Sequence, residues 1–230
     1  MRRIWFQLHK WTGLIIGLQV LAWIGSGLYM TFVPIETVRG EHNIRKVEAP
    51  DLRDSDVKGF PAQALKSLTG KVSRVELVHV DGRPVWRVDV DGKPAAMVDD
   101  RSGEVLSPLS EAAATRIATA DFAGMGKIVS ATLLESNPPI EYRGDLPVWQ
   151  FSFDDPDSTN LYVSPLSGKV VARRSSTWRV YDFLWSLHIM DYRDREDFNN
   201  WLVVMSAAVA LILTISGMVI LVYRFLVPRL

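Results

Sequence analysis

The stretch MRRIWFQLHKWTGLIIGLQVLAWIGSGLYMTFV at residues 1–33 sets a basic end against a run, residues 12–33, with no Asp, Glu, Lys or Arg. A second uncharged run, WLVVMSAAVALILTISGMVILVY, occupies residues 201–223. As helices, both are long enough to cross a hydrocarbon core of about 30 Å. The chain therefore reads as a two-span membrane protein with one intervening block, residues 34–200. A cleaved signal peptide is the rival for the first run, but its apolar core would be shorter, about 7–15 residues, and followed by a small-residue cleavage site. The run instead carries Trp23 and Tyr29 and ends in TFVP, so a retained anchor is expected. Arg2, Arg3 and Lys10 precede the first span and Arg224 and Arg229 follow the second. This bias predicts both termini in the cytoplasm and residues 34–200 outside. Trp5, Trp11, Trp201 and Tyr223 fall where interfacial aromatic side chains sit.

The chain has 26 basic and 26 acidic residues and no cysteine. No Lys/Arg tract marks a nucleic-acid surface, and an exported block without disulfides must be held by burial alone. That block carries an internal repeat. DGRPVWRVDV at 81–90 followed by MVDDRSGEVLS at 97–107 matches GDLPVWQFSF at 144–153 followed by LYVSPLSGKVV at 161–171. Pro84-Val85-Trp86 corresponds to Pro147-Val148-Trp149, and Ser102-Gly103 to Ser167-Gly168. Alternation across both segments predicts strands, with tight turns at Asp81-Gly82 and Asp91-Gly92. Helical leads precede the two copies at 60–70 and 108–120, with Pro61 and Pro108 near their starts and Ser110 as a simple N-cap. Trp86 and Trp149 are expected to pack in the core. The predicted layout is 1–33 tip and first span, 34–56 connector, 57–107 first unit, 108–174 second unit, 175–200 interfacial segment, 201–223 second span and 224–230 cytoplasmic tail.

Three motifs carry a family resemblance. His9-Lys10-Trp11-Thr12-Gly13-Leu14, Leu187-His188 and Ser216-Gly217 resemble the flanks of proteins with PepSY-associated transmembrane helices, and the repeated unit looks like a PepSY domain. The second motif departs from the family, because Ile189-Met190 and a charged stretch stand where small residues are usual. The resemblance implies an α+β extracytoplasmic domain of two tandem PepSY-like helix-plus-antiparallel-sheet units, flanked by transmembrane helices, in a bacterial inner membrane. Larger relatives have more spans and include haem-bearing reductases of ferric siderophores. Other PepSY proteins are accessory or sensory subunits, or modulate peptidases.

The chain's four histidines are His9, His42, His79 and His188. No C-x-x-C-H motif attaches a haem covalently, and a b-type haem in a membrane bundle commonly needs two facing imidazoles. His9, Gly13 and Gly17 fall roughly on one helix face, where the glycines would admit either a flat ring or another helix. His9 and His188 lie near opposite membrane faces and cannot share one iron within a monomer. A homodimer would supply four spans and a histidine pair at each face. No H-E-x-x-H, calcium loop or G-x-G-x-x-G phosphate turn is present; His42 reads as a connector residue and His79 as a sheet residue. The expected function is that of a membrane-anchored accessory or interaction protein, non-catalytic by itself, presenting its duplicated domain to a partner or ligand. The alternative is electron transfer through b haem held by His9 and His188, helped by Gly13 and Gly17, in a homodimer. Inhibition of an extracytoplasmic protease is a third reading. The partners expected are the lipid bilayer and a second copy or a larger membrane complex, without nucleic acid.

Overall fold

The computed structural model describes residues 2–46, 57–59, 62–66 and 68–225. The chain forms two compact units, Met1–Ile35 with Arg179–Leu230, and Glu36–Trp178. Their helices, in chain order, are α1 (Arg2–Phe32), α2 (Ile35–Val38), α3 (Ala62–Leu65), α4 (Glu111–Asp121), α5 (Ser176–Ile189) and α6 (Trp201–Phe225). A single 3-10 turn covers Glu41–Asn43.

In the first unit α1 and α6 are both long and apolar enough to span a membrane. They run antiparallel, since a side chain built at Gly13 would meet Leu213 and one at Gly217 would meet His9. The face of α1 turned inward carries the buried Ile16 and Ser26. Leu14, Ile15, Leu18, Leu21 and Ile24 are exposed, an outward apolar surface that suits lipid better than water. The C-terminal end of α5 belongs to this unit, and its last carbonyls, which no helical amide can reach, take donors from α1. Gln19 Nε2 donates to Leu187 O at 2.9 Å and Trp23 Nε1 to His188 O at 2.6 Å. Asn200 joins the two helix ends: its side-chain oxygen accepts from the Val203 amide at 3.0 Å, capping α6, while its Nδ2 donates to Ile189 O at 2.9 Å. Between them the Asp191 carboxylate accepts from the amides of Arg193, Asp194, Glu196 and Asp197. Those of Asp197 and Glu196 act most strongly, and together they hold its pKa down at about 2. The charged stretch 191–197 is thus a turn folded around one carboxylate.

The second unit is mixed α+β with two antiparallel sheets. The first has the order β1 (Val72–Val80), β2 (Arg83–Val90), β3 (Lys93–Asp99), and the second β4 (Ile128–Leu134), β5 (Val148–Phe153), β6 (Asn160–Val163), β7 (Val170–Arg174). The turns at Asp81-Gly82 and Asp91-Gly92 have positive φ at both positions, the two-residue geometry expected of Asp-Gly pairs between twisted strands. In the second sheet the longer segment 154–159 links β5 to β6, and there Asp155 accepts from the Thr159 amide and hydroxyl, both at 2.7 Å.

α4 starts where expected, with Ser110 as N-cap accepting from the Ala113 amide. Its fully buried Ala114 and Ala118 pack with Phe122, Phe151, Phe153, Leu161 and Val163. Ile117 of the same helix also touches the cluster of Val85, Met97 and Leu109, so α4 is shared by the cores of both sheets. The earlier helical lead is described only as α3, and Pro61 lies outside the described residues, as do residues 47–56 of the connector and 226–230 of the tail.

The first sheet has three strands and the second four, and they share a cross-strand row and a turn. Leu77–Trp86–Val98 form one cross-strand row, and Leu133–Trp149–Val163 form its counterpart. Each sheet then closes through one turn. Asp99 N donates to Glu104 O and Gly103 N to Asp99 O; Ser164 N donates to Lys169 O and Gly168 N to Ser164 O, all at 2.9 Å. Glycine is required there by φ values of 72° at Gly103 and 63° at Gly168. In the first copy the Ser102 amide, then its hydroxyl and the Arg101 amide, hold the Asp99 carboxyl below the usual range. The tryptophans are half-buried, and each indole N–H finds an acceptor within the unit. Trp86 donates to Asp100 at 2.7 Å and Trp149 to the Leu109 carbonyl at 3.0 Å.

Candidate functional site

The two histidines on the apolar helices are held in the same way. His9 Nδ1 lies 3.1 Å from Leu213 O and 3.0 Å from Ser216 Oγ. The carbonyl can only accept, so Nδ1 carries the proton. Ser216 in turn donates its hydroxyl to Leu213 O at 2.8 Å and is fully buried. His188 Nδ1 lies 3.0 Å from Ser26 Oγ. The Ser26 hydroxyl is also within reach of Trp23 O, at 3.2 Å, and as both donor and acceptor it can serve either ring tautomer. In both cases a serine hydroxyl within reach of the carbonyl three residues earlier contacts Nδ1, and no hydrogen bond is made by Nε2 among the described residues. A neutral imidazole donating through Nδ1 presents a lone pair at Nε2, the arrangement found when histidine binds a metal.

Two further contacts define the rings. The His9 ring lies against the backbone at Gly217, where an added Cβ would be 3.0 Å from its Cε1. His188 Cε1 would be 3.8 Å from a Cβ at Gly27, and its ring stacks on Trp185 with centroids 6.5 Å apart. Ser26 and His9 are seventeen positions apart on α1, about 25 Å at a rise of about 1.5 Å per residue. The two imidazoles therefore belong to separate sites within one chain.

Gly13 and Gly17 divide in their surroundings. A Cβ at Gly13 would touch Leu213 Cδ1 at 3.4 Å, so this glycine faces α6, whereas Gly17 has open space within 4 Å. His42 sits in the 3-10 turn Glu41–Asn43, and His79 lies in β1 opposite Pro84. Among the described residues no group of three or more His, Cys, Asp or Glu side chains could hold a metal ion.

Sequence reasoning singled out Ser216-Gly217 only as a family motif and passed over Ser26, Gln19 and Trp23 as partners. A usable signal was present, since Gln19 and Ser26 are polar residues in an otherwise apolar run and such residues turn toward other helices.

A family model described as the PepSY-associated TM region matches residues 6–227. No curated protein and no solved structure matches the chain.

Proposed function

Given that this chain belongs to the family of the PepSY-associated TM region, we propose that it is a membrane-anchored accessory protein of the bacterial inner membrane. It is non-catalytic by itself and presents residues 34–200 to a partner or ligand outside the cytoplasm. The observation that carries this reading is a compact α+β unit, Glu36–Trp178, inserted between two apolar helices that pair with each other. On α1, Trp5 and Trp23 are about 27 Å apart. The antiparallel pairing of His9 with Gly217 sets Trp201 level with Trp23 and brings Tyr223 toward Trp5. Two aromatic girdles at that separation fit a hydrocarbon core. The Leu–Trp–Val rows and matching turns support two copies of one PepSY-like unit within the exported block.

The orientation is tested by thiol labelling, for which a chain without cysteine is a clean background. Met125 is 87% exposed and Ile4 69%. With a membrane-impermeant maleimide, Met125→Cys is labelled in intact spheroplasts and Ile4→Cys only after lysis. The reverse pattern overturns the assignment of the exported block.

A second reading is favoured by the histidine geometry. His9 and His188 would be the residues to hold a b haem, because each ring is held at Nδ1 while Nε2 makes no hydrogen bond among the described residues, and the surface at Gly17 is open beside α1. Haem bound there would supply one-electron chemistry. The chain's own contribution would be to orient the imidazoles through Ser216 and Ser26 and to exclude water with the surrounding apolar side chains. Because the sites are separate, each haem would take its second imidazole from another copy in a homodimer. Oxidised and dithionite-reduced absorbance spectra of detergent-purified protein, expressed with ample haem, separate the readings. A haem-free, folded protein is expected if the chain is purely an accessory. A stoichiometric b-type spectrum lost in His9→Ala and His188→Ala would establish haem held by these histidines, as the electron-transfer reading requires.

A further inference from the structure

A cleft of about 530 Å³ opens in the second unit, between the loop 142–147 and the turn 164–169 at the head of β7, with Lys93 and Pro94 closing one side. Lys93, Arg143, Lys169 and Arg174 line it against a single acidic side chain, Asp145. Lys93 Nζ meets Asp145 at 3.0 Å, so one positive charge is balanced at the rim. Arg174 is held in place: Nε donates to Glu141 O at 2.6 Å, Nη1 donates to Arg173 O at 2.9 Å, and its guanidinium lies 4.2 Å from the Trp178 ring centre. Lys169 is exposed and has no ion-pair partner among the described residues.

The backbone of the turn removes what would repel an anion. Ser164 O accepts from Gly168 N and Pro165 O from Leu109 N, each at 2.9 Å. Leu166 O accepts from the Ser107 hydroxyl at 2.9 Å and Ser167 O from Arg87 Nε at 2.6 Å. Four successive carbonyl oxygens are thus committed to other partners.

The repeat supplies an internal comparison. The same turn in the first sheet carries Asp99 and Glu104, where the second carries Ser164 and Lys169. One backbone turn therefore exists in the same chain in an acidic and a basic version, and the basic one lines the cleft. Solvated surface charge would need neither the cleft nor the committed carbonyls.

We propose that this cleft binds a small anion bearing carboxylate or phosphate groups, seated between Arg143, Lys169 and Arg174 with its carbon skeleton against Leu146, Pro147 and Val171. The assignment rests on the reading that the exported unit receives a ligand, and it names the chemistry of that ligand. The volume is within the range of small-molecule sites, about 300–1,000 Å³, and guanidinium groups match the planar or tetrahedral oxygens of both anion types.

The test is calorimetric titration of the full-length chain in detergent at low salt with two probes, citrate and inorganic pyrophosphate. Binding of at least one is expected, weakened roughly tenfold or more in Arg143→Gln/Lys169→Gln and unchanged in Lys127→Gln, an exposed lysine outside the cleft. Preference for citrate or for pyrophosphate identifies the anionic group. An unaltered thermal transition in the double variant excludes loss of folding as the cause. No binding of either probe up to about 10 mM, or equal binding in the double variant, overturns the assignment. Neither result touches the maleimide labelling pattern, so failure of the cleft and failure of the membrane reading remain distinct.

Discussion

Phe151→Ala is expected to destabilise the α+β unit by about 3–5 kcal/mol, the range for emptying an aromatic site in a closed core. Phe151 is fully buried on β5, paired with Ala131 on one side and Leu161 on the other. It packs in the cluster that includes Ala114 and Ala118 of α4. Those alanines have no longer side chain with which to fill the space, and Phe122 and Phe153 are already in contact, ring centres 4.1 Å apart. At about 2–4 °C per kcal/mol for a chain of this size, the transition of the unit should fall by about 6–20 °C. Near-ultraviolet circular dichroism of the full chain would follow it. A loss below about 1 kcal/mol would show that α4 can collapse onto the sheet, contrary to the packing described.

Gly217→Leu should separate α1 from α6. The ring of His9 already occupies the space a side chain needs, 3.0 Å from the position of the new Cβ. Forcing the ring out costs about 1–3 kcal/mol in overpacking, and the contacts of Nδ1 with Leu213 O and Ser216 Oγ are lost with it. Hydrogen bonds between membrane helices contribute about 0.6–2 kcal/mol each, so a total near 3 kcal/mol is expected. Titration of the detergent-solubilised protein with SDS measures it. Gly17→Leu is the control, because nothing lies within 4 Å of that position in the chain. Equal sensitivity of the two variants would sink the account of a ring lodged against glycine.

The ends of this protein were far more legible than its middle, and for a physical reason. A span is announced by the absence of charge over twenty residues, a signal that needs no partner to interpret. The Asp-Gly turns were equally local, since positive φ at two successive positions is a property of the residues themselves. The repeat exposed the strands around Trp86 and Trp149, but the sharing of α4 between two cores through Ile117 was not visible in either copy alone. His9 and His188 were picked out by chemistry and motif. Their fixing by Ser216 and Ser26 was not, because each partner is more than 160 positions away in the chain. The grip of Gln19 and Trp23 on the end of α5 was missed for the same reason. The cationic cleft escaped notice because Lys93, Arg143, Lys169 and Arg174 come from separate segments and form no long basic run.

Pairing of the first helix with the last has a consequence for synthesis. About 170 residues separate Phe32 from Trp201, and at about 5–20 residues per second α1 emerges roughly ten to thirty seconds before α6 exists. For that interval His9 lacks Leu213 and Ser216, Gln19 lacks Leu187, and Ser26 lacks His188. Until α6 follows it, the first helix carries polar side chains without the partners that satisfy them in the finished chain.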